Sequence, residues 1–313
     1  MTVKTERLVT LFGGGGFVGR CVAQALFKAG ARVRIAERRP RRAFFLKPLC
    51  GLGQIQFVRA DVADAGAVAA AADGADAIVN LVGILKGDFD RVHVAGARNV
   101  AVAAAAAGVP ALVHVSAIGA DPDSPSAYGR SKGEGEEAVR LAFPAAAIIR
   151  PSIAFGLEDD FVNRFARMAQ LLPVVPVIRP GWKLQPVHAA DLGKAIALAA
   201  LDPAPYAGRT FELGGPQVMT MAELNRWVCR ATGRERALAP IPDPLGRLLA
   251  RLTGWLPLAP LTWDQWLMMS KDNVARGDGF EAFGIRPAPL AALAETWLAQ
   301  YRRHGRFARP SAS

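Results

Sequence analysis

Cysteine is scarce: Cys21, Cys50 and Cys229 are the only three in 313 residues, and they lie far apart. With no CxxC pair and no metal-ligand spacing, a disulfide framework and a zinc site are not expected, and a reducing compartment fits. Long apolar runs are missing as well. No stretch reaches the roughly eighteen uninterrupted apolar residues of a membrane span. The start, Met1 to Glu6, is polar, and the apolar run behind it stops at glycine, unlike a secretory signal. The expectation is a protein that is soluble or peripheral to a membrane. Acidic side chains are in deficit, 27 against 38 Lys and Arg, for a formal charge of +11. The surplus clusters at Arg32, Arg34, Arg38, Arg39, Arg41 and Arg42, and again at Arg302, Arg303, Arg306 and Arg309. Neither cluster has the interleaved aromatics on which single strands stack, so no nucleic-acid partner is expected. A solvated basic face is the commoner meaning of such clusters; an acidic protein or an anionic membrane surface is the other. Internal repeats and long linkers are absent too.

What is present is alternation. Leu8 to Phe12, Arg32 to Ala36, Ile55 to Val58, Ala77 to Val82, Ala111 to Ser116 and Ala147 to Arg150 read as short apolar strands. Between them, Val18 to Ala29, Ala65 to Ala72, Val92 to Ala107 and Ser131 to Leu141 read as helices. Nearly all-apolar strands alternating with helices predict an α/β protein with a doubly wound parallel sheet covered on both faces. The later part differs. Phe161 to Leu172 and Asp191 to Leu201 read as helices, Pro173 to Pro180 as a proline-rich loop, and Thr210 to Leu213 as a strand. Beyond Gly215 the chain looks mostly helical. The expected division is a dinucleotide-binding domain over 1–215, with 156–185 on its substrate or partner side, and a smaller helical region over 216–313.

Gly13-Gly14-Gly15-Gly16-Phe17-Val18-Gly19 follows the first strand and opens the first helix. In this GxxGxxG spacing Gly13 permits a tight turn, Gly16 lets backbone approach a pyrophosphate, and Gly19 lets helix and strand pack closely. The helix tip then offers free N–H groups and a partial positive charge to phosphate. A lone glycine motif is weak, but the strand, the helix and the following βα units supply its context. The end of the second strand meets the adenosine ribose. A carboxylate there reads the 2′-OH of NAD and an arginine the 2′-phosphate of NADP. Glu37-Arg38-Arg39 supplies both. Two arginines can grip phosphate bidentately, so NADP(H) is expected over NAD, provided Glu37 points away. Asp61, after the third strand, is placed either to meet the adenine edge or to cap the next helix.

Tyr128 and Lys132 are four residues apart, which on a helix gives them one face. A neighbouring ammonium favours tyrosinate, making Tyr128 a candidate general acid/base for hydride chemistry at a carbonyl. Ser116 ends the fifth strand, at the sheet edge where ligands bind, and can orient a substrate oxygen.

The glycine turn, Asp61, Asn80-Leu81-Val82-Gly83, Ser116 and Tyr128/Lys132 together resemble the short-chain dehydrogenase/reductase superfamily, of the extended or atypical type. The resemblance implies Ser116, Tyr128 and Lys132 as catalytic residues, with Lys132 also on the nicotinamide ribose. It implies a cofactor set of Gly13, Gly16, Phe17, Val18, Gly19, Arg38, Arg39, Asp61, Val62, Leu81, Val82, Gly83, Tyr128 and Lys132. His93 stands where extended members usually carry asparagine, and Ala97 where threonine is usual; Asn99 is retained. His93 reads either as part of an altered proton relay or as a polar helix residue without a role.

A narrower resemblance runs through Phe45-Leu46-Lys47-Pro48-Leu49, Gly53-Gln54-Ile55, Arg150-Pro151-Ser152, Phe155-Gly156-Leu157-Glu158-Asp159, Asn163-Arg164-Phe165-Ala166 and Gln185-Pro186-Val187. In that order these segments are similar to the Rossmann-type accessory subunit of respiratory complex I. The resemblance implies a tightly held, structural NADPH, subunits of a respiratory NADH dehydrogenase as partners, and a peripheral place on the cytoplasmic face of an inner membrane (the matrix side in a mitochondrion). An active NADP-dependent reductase or sugar-nucleotide epimerase-type enzyme is the other reading, and a redox-sensing regulator a third. His188 reads as a loop residue, His114 as structural, and Asp191 as a helix N-cap. Leu245 to Leu261 reads as an amphipathic stretch facing either the core or a membrane. The tail after Arg302 is expected to be disordered.

Overall fold

The computed structural model describes residues 7–253, 261–277, 279–303 and 305. It forms two compact units. The first comprises Met1–Pro151, Ala189–Leu213 and Arg276–Arg286; the second comprises Ser152–His188, Gly214–Ala275 and Pro287–Ser313. No helix among the described residues is long and apolar enough to cross a membrane. The tail arginines Arg306 and Arg309, and residues 254–260 of the amphipathic stretch, lie outside the described residues.

The first unit runs β1 (Leu8–Phe12), α1 (Phe17–Lys28), β2 (Arg32–Glu37), β3 (Ile55–Arg59), α2 (Ala65–Ala72), β4 (Ala77–Asn80), α3 (Gly96–Ala106), β5 (Leu112–Val115), α4 (Ala127–Ala142), β6 (Ala147–Pro151), α5 (Ala189–Leu201) and β7 (Thr210–Leu213). Its seven strands are ordered β7-β6-β5-β4-β1-β2-β3 and all pairs are parallel. This is the doubly wound sheet the alternation predicts. Every residue of β4 is buried, as a strand covered on both faces requires. On one face α2, α3 and α4 pack together, and their small side chains (Ala97, Val100, Ala101 and Ala104 of α3 among them) share a core with Ile78 and Ile148. On the other face α1 packs on α5 so closely that a Cβ on Gly193 would sit 2.7 Å from the carbonyl carbon of Cys21. The chain leaves β1 for β2 and β3, then returns to β4 on the opposite side of β1. The strand order thus reverses at β1 and β4, the switch point at whose carboxyl ends such sheets bind ligands in a crevice.

The helix that holds Tyr128 begins at Ala127, four residues before the expected Ser131, because Ser126 caps it by accepting the N–H of Gly129 at 3.1 Å. Asp191 does not cap α5; it lies inside the first turn and pairs with Lys194 at 2.8 Å.

The second unit carries five α-helices among the described residues: Phe161–Leu171, Met221–Ala231, Asp243–Thr253, Trp263–Met268 and Leu290–Leu298. Its core gathers Phe155, Val162, Leu184, Leu224 and Leu298. The expected loop at 173–180 is instead a strand, Val174–Ile178, paired in parallel with Ala237–Ile241. Val175 and Val177 bury one face while Val174 stays exposed, and a two-stranded pair tolerates Pro176 because its other edge needs no donor. His188 is likewise in a short parallel pairing, beside Phe155, rather than in a loop.

Candidate functional site

The crevice is built around Gly13 to Gly19. Gly13 has φ +81, a left-handed conformation that only glycine adopts cheaply. A Cβ on it would press on the Leu81–Val82 peptide at 3.2 Å, so the turn after β1 touches the loop after β4. Gly19 faces the turn itself. A Cβ there would strike the carbonyl oxygen of Gly13 and lie 2.7 Å from that of Gly14. Helix α1 starts at Phe17 with Gly16 as its N-cap, no side chain caps it, and its first turn holds no acid. Its leading N–H groups and positive dipole end therefore face the crevice, the arrangement that receives phosphate. A dinucleotide fits these residues: the helix tip has no side-chain acceptor, and at Gly16 a Cβ would meet only the carbonyl oxygen of Gly13, at 3.3 Å, so that side of the turn is open to a phosphate.

At the adenosine end the structure corrects one expectation. Glu37 does not point away; its Oε1 accepts the N–H of Gly15 at 2.8 Å. The carboxylate sits at the glycine turn, while Arg38 and Arg39 lie exposed beyond it. Asp61 is not the cap of α2. That role belongs to Asp64, which accepts the N–H groups of Gly66 and Ala67. Asp61 accepts the N–H of Ala63 at 3.0 Å and meets Arg91 at 3.4 Å. Val62 is buried, its carbonyl held by Asn99 at 2.9 Å, and Gly96 leaves it room, since a Cβ there would lie 2.7 Å from Val62 Cγ2.

At the other end, one open cleft of about 200 Å³ is lined by Leu81, Gly83, Ile84, Leu85, Val115, Ser116, Tyr128 and Lys132. The three residues read as catalytic are thus brought together. Ser116 is buried and its Oγ has no hydrogen-bond partner among the described residues, a cost that a ligand oxygen would remove. Lys132 is buried and its Nζ donates to the carbonyl of Val115 at 3.1 Å. Burial pushes its pKa down to about 8, with Glu136 one turn away pulling in the opposite direction. Glu136 is itself held by Arg150, Nε to Oε1 and Nη2 to Oε2, both at 2.8 Å. Gly83 lies between Lys132 and His93, for a Cβ on it would be 3.5 Å from Nζ and 3.7 Å from Nε2.

His93 is not a residue without a role. It is buried in a π-helical turn, Asp90–Ala95, ahead of α3. Its Nε2 accepts the N–H of Ile84 at 2.9 Å, which leaves Nδ1 as the protonated nitrogen, donating to Ser131 Oγ at 2.9 Å. Ser131 in turn donates to the carbonyl of Tyr128 at 3.0 Å. The ring stacks on Phe89 and meets the Tyr128 ring edge-on, with centroids 5.4 and 5.5 Å apart. Desolvation, with Lys132 nearby, holds its pKa near 3, so it is neutral throughout the physiological range. One imidazole thus ties the loop after β4 to the first turn of α4. The sequence singled out the position but not these partners, nine and 38 residues away. His114 is structural: buried in β5, it meets Asn80 Nδ2 at 3.2 Å.

Comparison with known proteins agrees with this geometry. Residues 13–152 match a family model described as NAD(P)H-binding. The chain is 34% identical over 307 residues to the mitochondrial NADH dehydrogenase (ubiquinone) 1 alpha subcomplex subunit 9 of Rattus norvegicus, covering 95% of this chain and 81% of that one. It is 32% identical over 250 residues to the ceramide reductase of Caulobacter vibrioides, covering 78% and 76%. Among solved structures, the NADPH-dependent quinone oxidoreductase QOR2 of Escherichia coli, in complex with NADPH, superposes with a TM-score of 0.76 at 22% identity, covering 93% of this chain and 99% of that one. That last likeness is one of fold.

Proposed function

The chain belongs to the family of NAD(P)H-binding proteins that includes the alpha subcomplex subunit 9 of mitochondrial NADH dehydrogenase, and on that premise we propose that it is an accessory subunit of a respiratory NADH:ubiquinone oxidoreductase. It holds NADP(H) as a structural group: Glu37 stays at the glycine turn on the N–H of Gly15, and the two exposed guanidinium groups of Arg38 and Arg39 outweigh its single charge at a 2′-phosphate. The observation that carries this reading is the uncapped tip of α1 above the Gly13–Gly19 cradle, in a chain whose likeness to a respiratory subunit runs through 95% of its length. Gly13, Gly16, Phe17, Val18 and Gly19 would cradle the pyrophosphate, and Arg38 and Arg39 would take the 2′-phosphate. Val62, with Asp61 beside it, would border the adenine. Leu81, Val82 and Gly83 would line the path to the nicotinamide, whose ribose Tyr128 and Lys132 would hold.

The place proposed is peripheral, on the cytoplasmic face of an inner membrane or its matrix-side counterpart. Helix Asp243–Thr253 supports this. It buries Gly246 and Ala250 and exposes Leu245, Leu248 and Leu252 on one stripe, at 47%, 52% and 64%. Arg247 and Arg251 lie exposed beside the stripe, an arrangement suited to an anionic interface. In gently solubilised membranes the protein is expected to comigrate with NADH dehydrogenase in native gels. The purified protein is expected to release NADP(H) in a one-to-one ratio on denaturation. Migration wholly as free protein would remove the subunit reading, and release of NAD alone would remove the NADP(H) assignment.

A second reading, an active NADP-dependent reductase or epimerase-type enzyme, is favoured by the shared cleft of Ser116, Tyr128 and Lys132. A bound nicotinamide would supply hydride transfer there. Ser116 would hold the substrate oxygen, Tyr128 would exchange a proton with it, and Lys132 would tune Tyr128.

A further inference from the structure

The segment from Phe17 to Ala60 carries ten Lys and Arg against one acid, Glu37, and Glu37 is spent on the N–H of Gly15. Within it lies a run of exposed apolar side chains. Phe44, Phe45 and Leu49 stand on the 3₁₀ helix Pro40–Leu49, and Leu52 follows, fully exposed, in the next turn. Folded surfaces expose such side chains singly, and a cluster marks a place where something docks. Cations lie on the rings, Arg20 over Phe45 at 4.2 Å and Lys47 over Phe44 at 4.1 Å. The turn that carries Leu52 is fixed. Gln54 Oε1 accepts the N–H of Gly51 at 2.7 Å, and Gln54 Nε2 donates to the Phe27 carbonyl at 3.3 Å, tying the turn to the end of α1. Beside it is a hollow of about 280 Å³ lined by Gln24, Phe27, Lys28, Leu49 and Gln54. Its part of α1 begins seven residues beyond Phe17, about 10 Å along the helix from the tip that receives phosphate.

The hollow and its charge choose the occupant. Its volume falls below the roughly 300–1,000 Å³ of small-molecule sites and suits one protruding side chain. Phe27, in its lining, is buried; a bilayer would take up Leu52 but would not reach into a recess. Lys28, Arg41, Arg42 and Lys47 are exposed, and none of them forms an ion pair with a described residue. A basic partner would meet these charges with like charge, whereas carboxylates would answer them. We propose that this face docks an acidic amphipathic segment of another protein. An apolar side chain of that segment fills the hollow over Phe27 and Leu49, one carboxylate meets Lys28, and others meet the exposed cations of the 3₁₀ helix. The inference goes beyond the subunit reading, which names an assembly but no surface, and it stands or falls separately.

Photo-crosslinking in the cells that make the protein tests it, with p-benzoylphenylalanine incorporated at Leu52 of the full chain and the attached peptide sequenced by mass spectrometry. The expected result is a cross-link to a protein segment in which Asp and Glu outnumber Lys and Arg. Reversing two exposed charges together, Lys28→Glu with Lys47→Glu, is expected to lower its yield by roughly tenfold. Leu49→Asp is expected to lower it severalfold. Leu141→Asp, at an exposed leucine outside this segment, is expected to leave it unchanged. Adducts to lipid alone, no adduct, an attached segment without an acidic excess, or an undiminished yield in the double variant would each overturn the proposal. Comigration with NADH dehydrogenase without a protein cross-link at Leu52 would overturn this inference and leave the subunit reading standing. Free migration with an acidic cross-link would do the reverse.

Discussion

Gly19→Ala separates cofactor binding from folding, and its effect can be worked from the turn. A methyl at this position would lie 2.7 Å from the carbonyl of Gly14 and closer to that of Gly13, where ordinary contact begins at 3.4 Å. The obstacle is backbone on both sides, so nothing flexible can swing away. The turn must recede from α1 by at least 0.7 Å, the difference between those two distances. A phosphate oxygen bonded to these amides at about 2.9 Å would then stand near 3.6 Å from at least one, too far for a hydrogen bond. A bond to a charged group contributes about 1.5–3 kcal/mol. One lost bond therefore weakens NADPH binding by about tenfold to a hundredfold, at 1.4 kcal/mol per decade. Fluorescence titration of the purified variant with NADPH measures this, and the unfolding midpoint without cofactor measures what the clash does to the fold. The reasoning predicts a large change in Kd. An affinity within threefold of wild type would refute it, because the amides would then be shown not to hold the phosphates.

Glu37→Gln keeps an acceptor for the Gly15 N–H but removes a charge that would face a 2′-phosphate; it should shift the ratio of NADPH to NADH affinity about tenfold toward NADPH, as for relief of one like-charge contact near 1.4 kcal/mol. An unchanged ratio in paired titrations would show that the carboxylate does not meet the ribose. Lys132→Met should raise stability below pH 8, since the folded chain there bears the burden of a buried ammonium, with a pKa of about 8 against the ordinary 10.5. That burden is about 3 kcal/mol at 1.36 kcal/mol per pH unit. The unfolded chain binds more protons between pH 8 and 10.5, so wild-type stability gains there and the advantage of the variant should shrink across that window in urea titrations. His93→Phe keeps a ring but leaves the Ile84 N–H unsatisfied, and should cost about 1–3 kcal/mol in urea unfolding. Because His93 stays neutral to about pH 3 when folded but protonates near 6.5 when unfolded, this variant should also lose stability less steeply than wild type as pH falls from 6.5 to 3.

The parts of the molecule that could be read from sequence are those whose signals are local. Strands buried on both faces are written as unbroken apolar runs, and a positive-φ turn is written as glycine, so β1, Gly13 and α1 were visible together. Tyr128 and Lys132 were visible through their spacing together with their place after the fifth strand. The first turn of α4 was not, because Gly129 within it lowers helix propensity. That glycine answers a tertiary demand, since a Cβ on it would lie 2.6 Å from Ser124 Oγ. Val174–Ile178 was masked by Pro176 and the flanking Pro173 and Pro180; a strand with one free edge tolerates Pro176. The direction of Glu37 and the partners of His93 depend on residues brought together only by the fold, and no periodicity records them.

The nucleotide-facing unit is not finished when its sixth strand is laid down. Strand β7 adds its outer edge only after the chain has left for residues 152–188 and come back, and the segment 276–286 closes over that edge later still. There Phe283 stacks on Tyr206 with centroids 4.5 Å apart and packs edge-on against Phe211. During synthesis the sheet must therefore wait, one flank bare, until residues 276–286 have been made. A fragment ending near residue 215 would expose Tyr206 and Phe211 to water, and clumping of such fragments through that aromatic flank is the expected fate of premature termination.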